Sequence, residues 1–214
     1  MTLFLIFIND LLHSLGRIST LRSQGFADDL ALWVAVRFRS GITGLGLRRG
    51  LREVDRWAQH CRIQFSPQKC ICICFRGRNV RVRGSFVACL HGETLPHERA
   101  VRYLGVWFDE GLLWNKHLTE VIARARARLW QLWRIVGCEW GLSPGLFMRL
   151  VRGAVLPGLF FGAPVWASVL RVQDRLRRLD STLALAARMA FGLERFTSTE
   201  ASLALAGLMP ARQQ

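Results

Sequence analysis

The sequence predicts an α+β chain: short antiparallel strands with one packed helix in residues 1–110, and helices alone in residues 111–214. Three observations carry this. Near the start, strand-like residues flank a turn that holds two adjacent aspartates, the mark of a β-hairpin. Two later stretches, Cys70–Phe75 and Val80–Leu90, alternate with a period of two. From Lys116 onward the apolar spacing changes to three and four residues, the period of an amphipathic helix. With 214 residues and 51% hydrophobic content, the chain can bury a sizeable core as one domain or two small ones.

In chain order, Thr2–Leu12 is an apolar run ending in Asn9-Asp10, a helix or a strand entering the core; periodicity alone does not separate the two. Ile18–Leu21 and Leu30–Val36 are the strand-like flanks of the turn that carries Asp28 and Asp29. Adjacent ionised carboxylates repel, so a partly buried turn that holds both needs a counter-charge. A hard divalent cation with oxygen ligands is the natural one. The plainer reading is that aspartate favours turns because its side chain bonds its own backbone. After a Gly-rich joint over Gly41–Gly46, residues Leu47, Leu51, Val54, Ala58 and Cys61 fall at helical spacing, with Arg48, Arg49, Arg52 and Arg56 on the opposite face.

Lys69 follows a Ser66-Pro67 turn and precedes the alternating stretch Cys70–Phe75. Val80–Leu90 carries Arg81 and Arg83 on one side, Thr94-Leu95-Pro96 interrupts it, and Tyr103–Phe108 makes the next strand pair. Lys116–Val136 is a long helix. Leu118, Val121, Ile122, Ala125, Leu129 and Leu132 form its apolar stripe, Arg124, Arg126, Arg128 and Arg134 surround it, and Glu120 precedes Arg124 at the favourable spacing for an ion pair. Ser143-Pro144 reads as an N-cap with proline at the first helical position, opening a helix to about Leu156. Val172, Leu176, Leu179, Leu183 and Ala186 mark another, running to near Phe191, and Thr199–Ala206 is a short last one.

The net charge is +15, and 28 of the 30 basic residues are arginine. Such an excess points to an anionic partner, nucleic acid before a membrane surface, and the planar guanidinium suits phosphate. The six cysteines lack Cys-x-x-Cys spacing and read as buried reduced thiols, with a zinc site from His60, Cys61 and Cys70 as the weaker alternative. No basic segment opens the chain, and the run Leu3–Ile8 is too short for a signal core. The uncharged stretch Ala154–Leu170 contains Pro157, Gly158, Gly162 and Pro164 and reads as a buried turn between helices rather than a membrane span. The expected setting is intracellular, nucleus or cytoplasm, with no secretion and no membrane partner.

Phe26-Ala27-Asp28-Asp29 resembles the F/Y-A-D-D signature of reverse transcriptases of non-LTR (LINE-type) retrotransposons. Further blocks match that family in order: Leu3–Asp10 before the acid pair, Phe65–Cys70 with the palm lysine, Arg102–Asp109 as the primer-grip hairpin, Leu113–His117 at the start of the thumb, and Thr197–Leu208 beyond it. The resemblance implies a partial polymerase palm over 1–110 and a helical thumb and post-thumb region over 111–214. It implies two-metal nucleotidyl transfer in the intact enzyme with Mg2+ or Mn2+, Asp28 as chief ligand and Asp29 as auxiliary. Lys69 would stand near the incoming dNTP and protonate the leaving pyrophosphate. Tyr103, Leu104 and Gly105 would hold the primer end. Trp114, Lys116, His117, Arg124 and Arg128 would meet an RNA template and DNA primer.

The family's first catalytic aspartate and its fingers match no segment here, so the resemblance implies an RNA-directed DNA polymerase fragment, inactive alone. Asp10 falls after that aspartate in the family order and reads as a helix or turn residue. The alternatives are a basic nucleic-acid-binding module and a retroelement remnant without a role. The sequence assigns no oligomeric state.

Overall fold

The computed structural model describes residues 2–35, 44–75, 87–135 and 143–213. The chain divides into two compact units, 1–99 and 100–214.

In the first unit the opening apolar run is a helix, α1 (Thr2–Gly16). Ile8, Leu11 and Leu15, three and four residues apart, are buried, whereas Leu3 stays 82% and Ile6 65% exposed. Ile18–Leu21, expected as strand, is instead a turn in which the Leu21 N–H bonds the Ile18 carbonyl at 2.9 Å. The strand starts later, and β1 (Arg22–Phe26) pairs antiparallel with β2 (Asp29–Trp33). Val36 and 41–43 of the glycine joint lie outside the described residues.

α2 (Leu45–Cys61) buries Leu51, Val54 and Ala58 and leaves Arg48, Arg49, Arg52 and Arg56 exposed, as the spacing requires. A Cβ at Gly50 would stand 2.6 Å from Leu21 Cδ2, so glycine lets α2 approach the turn before β1. Pro67–Lys69 is the expected turn, a single turn of 3-10 helix. Cys70–Phe75 forms no strand. Cys72 makes one parallel bridge to His97, its N–H bonding the Pro96 carbonyl at 2.9 Å and its carbonyl accepting from Glu98 at 3.0 Å. The facing segment runs through Pro96, which has no N–H to extend a ladder. Of the expected strand Val80–Leu90, 80–86 lie outside the described residues, and the end forms β3 (Cys89–Leu90), paired with β4 (Glu93–Thr94). Asp55 of α2 accepts the His91 N–H at 3.0 Å and lies 3.0 Å from its Nδ1, fixing that hairpin turn to the helix.

The second unit opens with the expected hairpin, β5 (Ala100–Tyr103) and β6 (Val106–Asp109). α3 (Asn115–Ile135) follows, then α4 (Pro144–Leu150), a π-helical turn (Val151–Val155), α5 (Leu156–Leu159), α6 (Ala163–Trp166), a 3-10 turn (Ala167–Arg171), α7 (Gln173–Phe191) and α8 (Thr199–Leu205). Leu118, Val121, Ile122, Ala125 and Leu129 of α3 pack with Phe147, Val151, Leu159, Trp166, Leu183 and Leu203 in one core. Ser143 caps α4 as its sequence implies, its Oγ accepting the Leu146 N–H at 3.3 Å. The helix runs past Leu156 because the π turn re-registers it. The Leu156 N–H reaches back to the Val151 carbonyl, and Pro157, which has no N–H to give, enters at the next step.

The uncharged stretch Ala154–Leu170 thus forms short helices that carry Leu159, Trp166 and Val169 into the core. Among the described residues no single helix is long and apolar enough to cross a membrane. One pair bent by 51°, Pro144–Leu159 with Ala163–Arg171, meets the length and composition only together. Helices with three two-stranded antiparallel sheets make the described chain α+β.

Candidate functional site

The register Phe26↔Asp29 leaves Ala27 and Asp28 as a two-residue turn. Ala27 takes φ 51°, a positive value that such tight turns impose and that a residue with a Cβ adopts only at a cost. Asp28 completes the turn, and Asp29 opens β2 opposite Phe26. Both aspartates are exposed rather than partly buried. Water therefore screens their repulsion, and the turn holds the pair without requiring a counter-ion. Gly25 behind them lies against Leu12, with space for a Cβ only 3.3 Å from Leu12 Cδ1, which brings α1 close beneath β1.

Exposed carboxylate oxygens suit a hard divalent ion. Among the described residues, however, no group of three or more His, Cys, Asp or Glu side chains converges. The acid pair thus offers part of one ion's ligand set, short of the set two ions need. His60, Cys61 and Cys70 likewise assemble no zinc site, and burial pushes the Cys70 and Cys72 thiols up, away from the thiolate that a metal binds. Lys69 ends its 3-10 turn exposed, and among the described residues it makes no ion pair with Asp28 or Asp29.

In the second unit, Leu104 and Gly105 form the β5–β6 turn at φ 46° and 86°. Gly105 is required twice, by its φ and because a Cβ there would stand 3.0 Å from the Phe161 ring. Tyr103 is half-buried beside this turn. Three contacts join the hairpin to the start of α3. The Trp107 N–H donates to His117 Nδ1 at 3.3 Å, Lys116 Nζ lies 3.9 Å above the Trp107 ring, and Phe108 meets Trp114 edge-on at 5.3 Å.

Two expected surface residues therefore belong inside. His117 is 0% and Trp114 6% exposed, and side chains with so little surface have nothing to offer a phosphate. His117 also packs 5.3 Å from Trp166, and its Nε2 is buried without a hydrogen-bond partner among the described residues. Burial first, and then the charge of Arg124, hold this imidazole below the usual histidine range, so it is neutral.

Arg124 turns its Nε back to the Glu120 carbonyl at 3.3 Å, in place of the expected ion pair with the Glu120 carboxylate. Arg128 donates to the Ala154 carbonyl at 3.1 Å and lies over Gly158, beside a cavity of about 30 Å³ lined by Val121, Ala125 and Leu159. The sequence holds the signal for this. Arg128 stands seven residues after Val121, three after Ala125 and four before Leu132, on the stripe that faces the core. Other arginines brace the same unit: Arg126 on Ser181, Arg178 on Thr119, Arg152 on Ala206 and Arg188 on Thr197. Arg102, Arg134, Arg149 and Arg177 remain exposed with no such bond among the described residues. These, with Lys116 and the exposed Arg126, Arg171, Arg195 and Arg212, are groups this unit can turn to a polyanion.

No protein-family model and no solved structure matches the chain. Curated proteins do. The chain is 28% identical over 187 residues to a 115 kDa protein in type-1 retrotransposable element R1DM of Drosophila melanogaster, covering 87% of this chain and 18% of that protein. It is 25% identical over 206 residues to the retrovirus-related Pol polyprotein from type-1 retrotransposable element R1 of Nasonia vitripennis, covering 95% of this chain and 60% of that protein. To the RNA-directed DNA polymerase from mobile element jockey of Drosophila melanogaster it is 25% identical over 141 residues, 66% of this chain and 15% of that protein. The chain thus spans from under a fifth to three fifths of these relatives' length. Its relatives are the Pol and polymerase proteins of R1- and jockey-type non-LTR retrotransposons, alike over most of the chain.

Proposed function

We propose that this chain supplies the late palm and the thumb of a retrotransposon RNA-directed DNA polymerase, with residues 1–110 as palm and 111–214 as thumb. The observation that supports it most is the acid pair: two exposed aspartates at a hairpin tip whose leading Ala27 is held at positive φ, in a chain related to polymerase proteins. In this reading Asp28 is the principal ligand of a divalent ion and Asp29 assists. Mg2+ or Mn2+ would there activate the primer 3′ hydroxyl and stabilise the leaving oxygen. Lys69, free of an ion pair with the aspartates, is available to a triphosphate. The Leu104-Gly105 turn presents the primer end, where fixed position controls rate. Lys116 and the exposed arginines hold the template–primer backbone. Because the acid pair is only part of a two-ion ligand set, the chain alone binds template–primer without extending it.

The test is fluorescence anisotropy of a labelled RNA–DNA hybrid from about 50 to 200 mM salt, with primer extension in Mg2+ or Mn2+ alongside. Binding that falls linearly on a log–log plot, by about 0.9 per phosphate neutralised, is expected, with no extension. Absent or salt-insensitive binding would remove the nucleic-acid role. Extension by the chain alone would show that its ligand set is complete.

A further inference from the structure

α3 presents a second feature that the template–primer reading leaves unused. Trp130 is 52% and Trp133 45% exposed, two large indoles on α3, Trp130 turned away from the core stripe of Val121, Ala125 and Leu132 and Trp133 on its flank. Their ring centroids lie 5.7 Å apart at 85°, edge to face. In that arrangement each ring braces the other, and each keeps at least one face clear of its neighbour. Arg126 and Arg134 stand four residues before and four after Trp130, on the same side of the helix. Arg126 gives one long bond to Ser181, at 3.4 Å, and retains further N–H donors. Within α3 five basic residues face one acidic residue, Glu120.

We infer that Trp130 and Trp133 form a stacking platform for the bases of a single-stranded nucleic acid, with Arg126 and Arg134 on its phosphates. The inference rests on the nucleic-acid role above and adds a distinct ligand form, the unpaired strand. Charge selects the occupant. A strongly basic helix face repels a basic protein surface and a second copy of this chain, whose net charge is +15, while it attracts a polyanion. Stacking selects the strand, because an unpaired base offers its π-face to an indole and a duplex hides its base faces within the stack.

The experiment measures the affinity of the full chain for fluorescein-labelled oligo(dT) and for an RNA–DNA hybrid of equal length. The parent is compared with W130A/W133A and W130F/W133F, and size-exclusion chromatography runs alongside. The expected result is that W130A/W133A weakens oligo(dT) binding by about tenfold or more. Hybrid binding should stay within about twofold, and W130F/W133F should recover most of the single-strand affinity through its own aromatic faces. Parent-like oligo(dT) binding by W130A/W133A overturns the inference, as does an equal loss on both probes. So does a parent that self-associates and becomes monomeric in W130A/W133A with oligo(dT) affinity unchanged, which gives the patch to a second copy. A parent that binds the hybrid with salt sensitivity and ignores oligo(dT) defeats this inference alone. One that binds neither defeats the nucleic-acid role with it.

Discussion

The assignment of Arg128 as a brace, rather than a phosphate contact, can be tested by a double-mutant cycle with Gly158. Arg128 bonds the Ala154 carbonyl at 3.1 Å, and a Cβ on Gly158 would stand 2.5 Å from its Nη1. A charged donor on a backbone carbonyl is worth about 1.5–3 kcal/mol when shielded. Arg128 is exposed overall, so about 1 kcal/mol is the working figure for R128A, a fall of about 4 °C in Tm for a unit of this size. G158A pushes the guanidinium off its carbonyl at a similar cost, but gains roughly 0.5–1 kcal/mol by replacing a helical glycine. The single change G158A should therefore be nearly neutral. In the R128A background no bond is left to lose, and the same change should stabilise by up to about 1 kcal/mol. Far-UV circular dichroism melts of the four proteins give the coupling, and anisotropy on the RNA–DNA hybrid gives the salt slope. Equal effects of G158A in both backgrounds would refute the brace. So would an unchanged Tm in R128A with a salt slope reduced by about 1, the signature of a lost phosphate contact.

Two further predictions follow from the hairpin and its anchor. The buried His117 has its pKa lowered in the fold, so the native state holds fewer protons than the unfolded chain as pH falls. The stability it contributes is therefore complete above the ordinary imidazole value of about 6.5 and is lost as pH drops from there through the lowered folded value. Urea midpoints should fall more steeply from about pH 7 to pH 5 in the parent than in H117Q, and superimposable profiles would refute the burial argument. Gly105→Ala must adopt φ 86° and displace the Phe161 ring, for a loss of about 2 kcal/mol read from the same denaturant curves. A parent-like midpoint would show that the turn tolerates a Cβ.

What the sequence by itself determined is what local chemistry and helical period control. The faces of α2 and α3, the Ser143 cap and the turn at Pro67 are all legible in residue type and spacing, because each depends on neighbours within a few positions. The opening apolar run shows where that reading stops: helix and strand were both open for Thr2–Leu12 until Ile8, Leu11 and Leu15 found α2 to pack against. Cys70–Phe75 has a strand's alternation yet gains a single bridge, because a strand needs a partner and its neighbour runs through Pro96.

The same limit governs the site. The family resemblance is what nominates Asp28, Asp29, Lys69 and the Tyr103-Leu104-Gly105 tip as candidates, and the turns that carry them are legible in residue type. Trp114 and His117 look identical in sequence whether they face water or core, and only packing against Phe108 and Trp166 placed them inside. Arginine reads as a phosphate ligand in any basic chain. Spacing puts Arg128 on the core-facing stripe of α3, but only tertiary structure paired each guanidinium with its carbonyl, because the acceptors stand tens of residues away: Ala154 for Arg128 and Ala206 for Arg152.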